Sequence, residues 1–192
     1  PNNKKSGGMM GIIDLWMPIV VSAVFIFVFS ALVWMVFPWH KSDFSQPADE
    51  EGLRAALSGY SPGYYLLPYH LDPRDIEKPE VAKKYTDGPQ AFITVIPNGL
   101  PKMPPKLVQS FVYYLLVSVL CAYFVSRTLQ TGSDYLAVFR IAGTTAFAAY
   151  GIAYVQDSIW FGRPWSLTLK GMFDALLYGL ITGGVFGWLT AA

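Results

Sequence analysis

From Leu15 to Phe37 the chain carries no charged side chain, and apolar residues fill nearly every position. A helix over this run, at 1.5 Å per residue, spans a hydrocarbon core of roughly 30 Å. Lys4 and Lys5 precede it much as basic residues precede a signal peptide. A signal's apolar region is only about 7–15 residues and ends at a small-residue cleavage site. Here the run is longer and continues into FPWHKSDF, so it reads as a spanning helix. Pro18 falls in its first turns, where a missing N–H costs least. Trp16 marks one end and Trp34 and Trp39 the other, as in an aromatic belt.

Three more apolar runs follow. Leu107–Ser126 is uncharged, opened by Pro104, Pro105 and Lys106 and closed by Arg127. The third extends from about Asp134 to Ile159; Arg140 and Asp157 flank its uncharged centre and can snorkel to an interface. The fourth starts near Pro164, reaches Trp188 and contains Lys170 and Asp174. The links at 127–133 and 160–163 are short, which makes consecutive helices antiparallel neighbours.

Between the first and second runs the pattern changes. PADEEGLRAAL reads as a short helix with carboxylates in its first turn. GYYLLPY (63–69) and QAFITVIPNG (90–99) have the aromatic and β-branched content of strands, and the charged stretch between them is helical from Pro79 to Tyr85. Two strands alone are marginal. This cap is therefore expected to lie on the membrane and be completed by helix ends or a partner protein. The predicted fold is an all-α integral membrane protein, four transmembrane helices with a small α+β extramembrane cap. Its parts are 1–38 (tail and first helix), 39–106 (cap) and 107–192 (three-helix region).

Composition agrees with that pattern. Hydrophobic residues make up 53% and charged residues 14%, against about 25% charged in soluble domains. Most of the 14 basic and 13 acidic residues fall in 39–106. Intrinsic disorder is excluded, and one Cys excludes a disulfide scaffold. A net charge of +1 gives no footprint for nucleic acid. Lys4, Lys5, Arg127 and Arg140 lie on the side of the termini, and Arg163 and Lys170 on the other. That puts the termini in the cytoplasm and 39–106 in the periplasm of a bacterial inner membrane. Lys41, Lys102 and Lys106 pull the other way, but they flank a segment longer than about 60 residues, where the rule is discounted.

Gly179, Gly183 and Gly187 recur every four residues on one face of the fourth helix, a groove for close backbone approach. The third helix offers matching rows: Ala142, Ala146 and Tyr150, and Gly143, Phe147 and Gly151. Packing within this hairpin is the favoured reading, contact with another subunit the alternative. The first two helices are bulkier and suit lipid, a large partner or a lipid-like pigment.

Candidate chemistry is sparse. The histidines, His40 and His70, both lie outside the helix runs. His40 is a metal or axial ligand on one reading and an interfacial side chain on the favoured one. There is no helical histidine pair and no CxxCH, and Cys121 stands alone, so no metal and no cofactor of its own is expected. No nucleophile elbow, Walker loop or HExxH is present; no catalytic residue is assigned. In DSIWFGRPWS, Asp157 and Arg163 can pair across the turn while Trp160 and Trp165 anchor it in the headgroup layer. Arg163 as a docking point for lipid phosphate or another subunit is the alternative. Intramembrane charge is a functional-site hypothesis by default. Asp174 has Lys170 four residues earlier on the same face, a spacing at which the pair can neutralise itself. Arg140 enters from the opposite side, too far along the axis. The bland reading, an ion pair fixing the hairpin, is preferred to an ion path through Asp174.

The segments PWHKSDF, PADEEGLRAAL, GTTAFAAYG, DSIWFGRPWS and FDALLYGLITGGVFGWL, in that order, resemble a bacterial family of four-helix membrane proteins. The resemblance covers most of the chain and brings no activity, cofactor or site residue with it. The expected function is that of a non-catalytic accessory or scaffold subunit of a larger bacterial membrane complex, of the energy-transducing (respiratory or photosynthetic) kind. Its partners would be membrane lipids and other subunits, with contact to lipids or pigments those subunits hold. The alternative is a small oligomeric transporter or channel acting through Asp174 and Lys170. A lipid-modifying enzyme at the DSIWFGRPWS turn is the third reading.

Overall fold

A computed structural model describes residue 8 and residues 10–190. Lys4 and Lys5, counted above for orientation, lie outside the described residues. In chain order the elements are α1 (Trp16–Met35), α2 (Glu50–Leu57), β1 (Gly63–Leu67), α3 (Pro79–Asp87), β2 (Ala91–Val95), α4 (Met103–Thr128), α5 (Tyr135–Trp160) and α6 (Trp165–Thr190). The chain divides into two compact units. One holds the chain up to Asp43, Lys102–Ile159 and everything from Arg163 onward; the other holds Phe44–Pro101 with Trp160–Gly162. Residues 39–43, grouped with the cap by their charge, thus belong to the helical unit.

Four helices of that first unit are long and apolar enough to cross a membrane. The first stops at Met35, because Pro38 opens a 3₁₀ turn, Pro38–His40, and Phe37 before it is extended. Prolines also lie in the first turn of α4. Asp134 caps α5, accepting from the N–H groups of Leu136 and Ala137. Within α5, Ala148–Ile152 form a π turn.

The hairpin α5–α6 is packed through its small residues. A Cβ on Gly179 would lie 2.8 Å from the Gly143 carbonyl oxygen, and one on Gly183 2.8 Å from that of Phe139. Gly187 sits against the Tyr135 ring and Gly151 against the Ala175 methyl. Close backbone approach of this kind supplies the dispersion contacts that hold helices together where lipid is as apolar as leucine. Ile26, Cys121, Val125, Val138, Ala142, Ala146 and Phe186 fill the centre of the unit, all at 0% exposure. Ser22 ties α1 to α4 through a 3.0 Å hydrogen bond to Ser118. Val24, Phe25 and Val28 of α1 and Leu116, Leu120 and Phe124 of α4 are exposed, the faces that lipid would cover.

In the second unit β1 and β2 pair antiparallel, Gly63 opposite Val95 and Leu67 opposite Ala91. Both strands are shorter than their apolar runs; Pro68 follows the first directly and Pro97 follows the second by two residues, each unable to donate to a ladder. Asp49 caps α2 by accepting from the Gly52 N–H. The rings of Tyr64, Phe92 and Phe161 pack together.

Candidate functional site

The turn after α1 delivers a histidine to the helix interior. His40 stacks face to face on Trp34 of the last α1 turn, ring centroids 3.9 Å apart and planes 5° from parallel. It is 7% exposed. Its Nδ1 lies 2.5 Å from Asp43 and its Nε2 2.8 Å from Asp174. The other Asp43 oxygen accepts from the Lys170 ammonium at 2.6 Å. Lys170 donates further to the Trp39 carbonyl and the Ser42 hydroxyl, each at 2.9 Å. The result is one chain of alternating groups, Lys170–Asp43–His40–Asp174, joining the turn to α6.

Two expectations are corrected here. Lys170 and Asp174 do not pair. The four-residue spacing places them on neighbouring turns, but Asp174 is buried at 6% exposure, whereas the ammonium finds three acceptors in the Trp39–Asp43 segment. An exposed i,i+4 pair is worth about 0.3–0.5 kcal/mol, too little to compete with three hydrogen bonds. His40, in turn, is a buried member of the charge cluster and not an interfacial side chain.

The hydrogen-bond inventory constrains the protons. A neutral imidazole has one donor, and a carboxylate only accepts. Bonding both ring nitrogens to carboxyl groups requires an imidazolium or a proton on one of the carboxyls. That proton lies within the chain of three groups. At Asp43 burial acts to raise the carboxyl, but hydrogen bonds from Lys170 and His40 and their positive charge outweigh it and hold the carboxyl below its ordinary value.

A cavity of about 110 Å³ adjoins the cluster, with His40, Asp43 and Asp174 in its wall. Tyr113, Tyr114, Tyr150, Tyr154 and Tyr178 line it as well, together with Arg163. Tyr150 is central among these rings: it meets Tyr178 at 5.5 Å, Tyr113 at 5.7 Å and Tyr114 at 6.1 Å, all edge to face. The Tyr113 hydroxyl donates to the carbonyl of Ala149 in the π turn. Arg163 lies over the Tyr154 ring at 4.7 Å and pairs with Asp157 at 3.6 Å. Its N–H also closes the interhelix turn on the Asp157 carbonyl.

The other charged or aromatic candidates stand apart from this constellation. Arg140 is exposed and forms no ion pair among the described residues. Trp16, Trp160 and Trp165 are exposed, while Trp39 packs on Phe173. His70 hydrogen-bonds with Tyr85 inside the second unit. Among the described residues no group of three or more His, Cys, Asp or Glu is placed to hold a metal ion. Sequence reasoning missed the tyrosine cluster altogether. One signal was available, the recurrence of Tyr at 113, 114, 150, 154 and 178 within three of the apolar runs. No family model, curated protein or solved structure matches the chain.

Proposed function

We propose that this multi-pass membrane protein is a non-catalytic accessory subunit of a larger membrane assembly. The observation that carries the reading is the closure of the charge cluster upon itself. Lys170, Asp43, His40 and Asp174 satisfy one another at one end of the helical unit. Beyond them, among the described residues, the buried side chains carry no charge: they are mostly apolar, such as Ile26, Cys121, Val125 and Phe186, with single hydroxyls such as Ser22, Ser118 and Thr182 between them. An ion route needs polar groups along its length; a clasp needs them at one place. The glycine rows are occupied by the chain's own hairpin, which leaves the aliphatic and aromatic faces of α1 and α4 for lipids and neighbouring subunits.

The competing reading is a transporter using Asp174, and the buried titratable groups favour it. Purification of the whole chain from its native membrane in mild detergent separates the two. An accessory subunit is recovered with other membrane proteins in fixed stoichiometry, and in vesicles it gives the same proton flux as its Asp174→Asn variant. Recovery alone, with proton flux that disappears in Asp174→Asn, would sink the proposal.

A further inference from the structure

Two side-chain atoms in the wall of the tyrosine cavity, the Tyr150 hydroxyl and Arg163 Nε, are buried without a hydrogen-bond partner among the described residues. Tyr150 is 7% exposed, and a buried donor left unmade is costly in any medium of low dielectric. The backbone is also irregular here, since Tyr150 lies in the π turn of α5; single π turns recur at functional sites.

The charges around the cavity show what is lacking. The cations are Arg163 and Lys170, the carboxyl groups are Asp43, Asp157 and Asp174, and His40 bridges two of them. Each carboxyl group already has a partner: Asp43 has Lys170 and His40, Asp174 has His40, and Asp157 has Arg163. Arg163 reaches Asp157 through Nη1, at 3.6 Å. The charges are thus matched, and what lacks a partner among the described residues is one N–H and one hydroxyl, a pair that an acceptor with two oxygens would satisfy. A water molecule occupies about 30 Å³ of liquid, so a space of about 110 Å³ suits a group of a few heavy atoms.

We infer that this cavity binds a small carboxylate or oxoanion, held by the Arg163 Nε–H and the Tyr150 hydroxyl. The inference goes beyond the accessory role and does not rest on it. The same chemistry has two sources, an anion dissolved in water or the terminal anionic group of a lipid.

The test is thermal unfolding of the whole chain in two settings. In neutral detergent, acetate or phosphate replaces chloride at constant ionic strength. In lipid nanodiscs, phosphatidylcholine is compared with and without increasing phosphatidate. A saturable rise in Tm in detergent identifies a dissolved anion, and one confined to phosphatidate discs identifies a lipid headgroup. Tyr150→Phe should weaken the midpoint about ten-fold, the worth of one hydrogen bond to a charged group. It should leave the ligand-free Tm unchanged or higher, because the hydroxyl it removes has no partner. Arg163→Gln should abolish the response, and Asp157→Asn, which frees the guanidinium, should keep or strengthen it. A cavity filled by water alone gives no saturable response to any probe in either setting. That result overturns the inference, as does a full response retained by both Tyr150→Phe and Arg163→Gln.

Discussion

Replacing His40 with alanine removes the ring that lies between two carboxyl groups. Asp43 keeps its ammonium partner, Lys170, at 2.6 Å. Asp174 keeps none, because its ion-pair partner among the described residues is His40. Removing one member of a buried pair costs roughly 3–5 kcal/mol, since the other charge stays desolvated. Protonation limits that penalty: an ordinary aspartic acid takes up a proton at pH 7 for about 4 kcal/mol. Loss of the stack on Trp34 adds roughly 0.5–1.5 kcal/mol. The single variant should therefore lose about 4–5 kcal/mol. Asp174→Asn should lose only about 1 kcal/mol, because a neutral imidazole can keep its Nδ1–H on Asp43 while its Nε2 accepts from the new amide N–H. The double variant His40→Ala/Asp174→Asn should be more stable than His40→Ala by about 2 kcal/mol or more, since the orphaned charge is gone. The assay is unfolding in mild detergent, by heat or by titrated denaturing detergent, with each variant first shown to be monodisperse. A double variant no more stable than His40→Ala would refute the assignment of His40 as the counter-ion of Asp174. The same logic separates Lys170 from Asp174: Asp43→Asn should rescue Lys170→Gln, and Asp174→Asn should not.

The hairpin contact makes Gly179→Ala and Gly183→Ala costly, by about 1–3 kcal/mol, because each new methyl would sit 2.8 Å from a backbone oxygen; Gly184→Ala, whose nearest neighbour would be 3.9 Å away, should leave Tm unchanged. Asp43 sets a pH dependence. Its carboxyl is held below the ordinary 3.8, so its contribution is complete above about pH 4 and is lost as pH falls through the lowered value. The extra loss of Tm in acid should disappear in Asp43→Asn; an unchanged acid profile would detach Asp43 from the cluster. Four spans place Ser58 and Ser133 on opposite sides, so single cysteines there should be labelled from opposite faces of intact cells, and labelling from one face would refute the four-span topology.

The first two long helices were legible because an uncharged run that exceeds a core's thickness has few alternatives; the third and fourth, which carry charge within the helix, were legible from their apolar content and the short links at 127–133 and 160–163. The short strands were legible from their aromatic and β-branched content, but their ends were not, because the predicted runs continued through Pro68 and Pro97. The charge cluster was not legible, because the rule applied to it was local. A lysine four residues before an aspartate pairs with it on an isolated helix. Here each finds its partner more than a hundred positions away, and no periodicity carries that distance. The π turn was invisible for another reason: GTTAFAAYG keeps helical spacing throughout, and the wider turn depends on what surrounds Tyr150.

A lone carboxylate among helices calls for a cation, and the chain offers it two kinds. Lysine is a hydrated point charge on a flexible stem; Lys170 uses that reach to collect acceptors at the edge of the unit, where its side chain is still 23% exposed. Imidazole is flat and short and can donate from both ends, so it can be buried between two carboxyl groups where an ammonium would stay undersolvated. Delivery of that ring depends on Pro38, which stops α1 and turns the chain back within three residues. The reason for such a clasp lies in the packing. The α5–α6 pair has glycine rows to hold it, but the side of α1 that meets α6 has no such row, and its ring contact there, Phe29 on Tyr178, is 6.1 Å between centroids. Where small residues do not fix two helices at close range, a polar bond between them fixes their register instead. His40 and Asp174 make that bond, and the cluster therefore stabilises the end of the unit at which glycine packing does not reach α1.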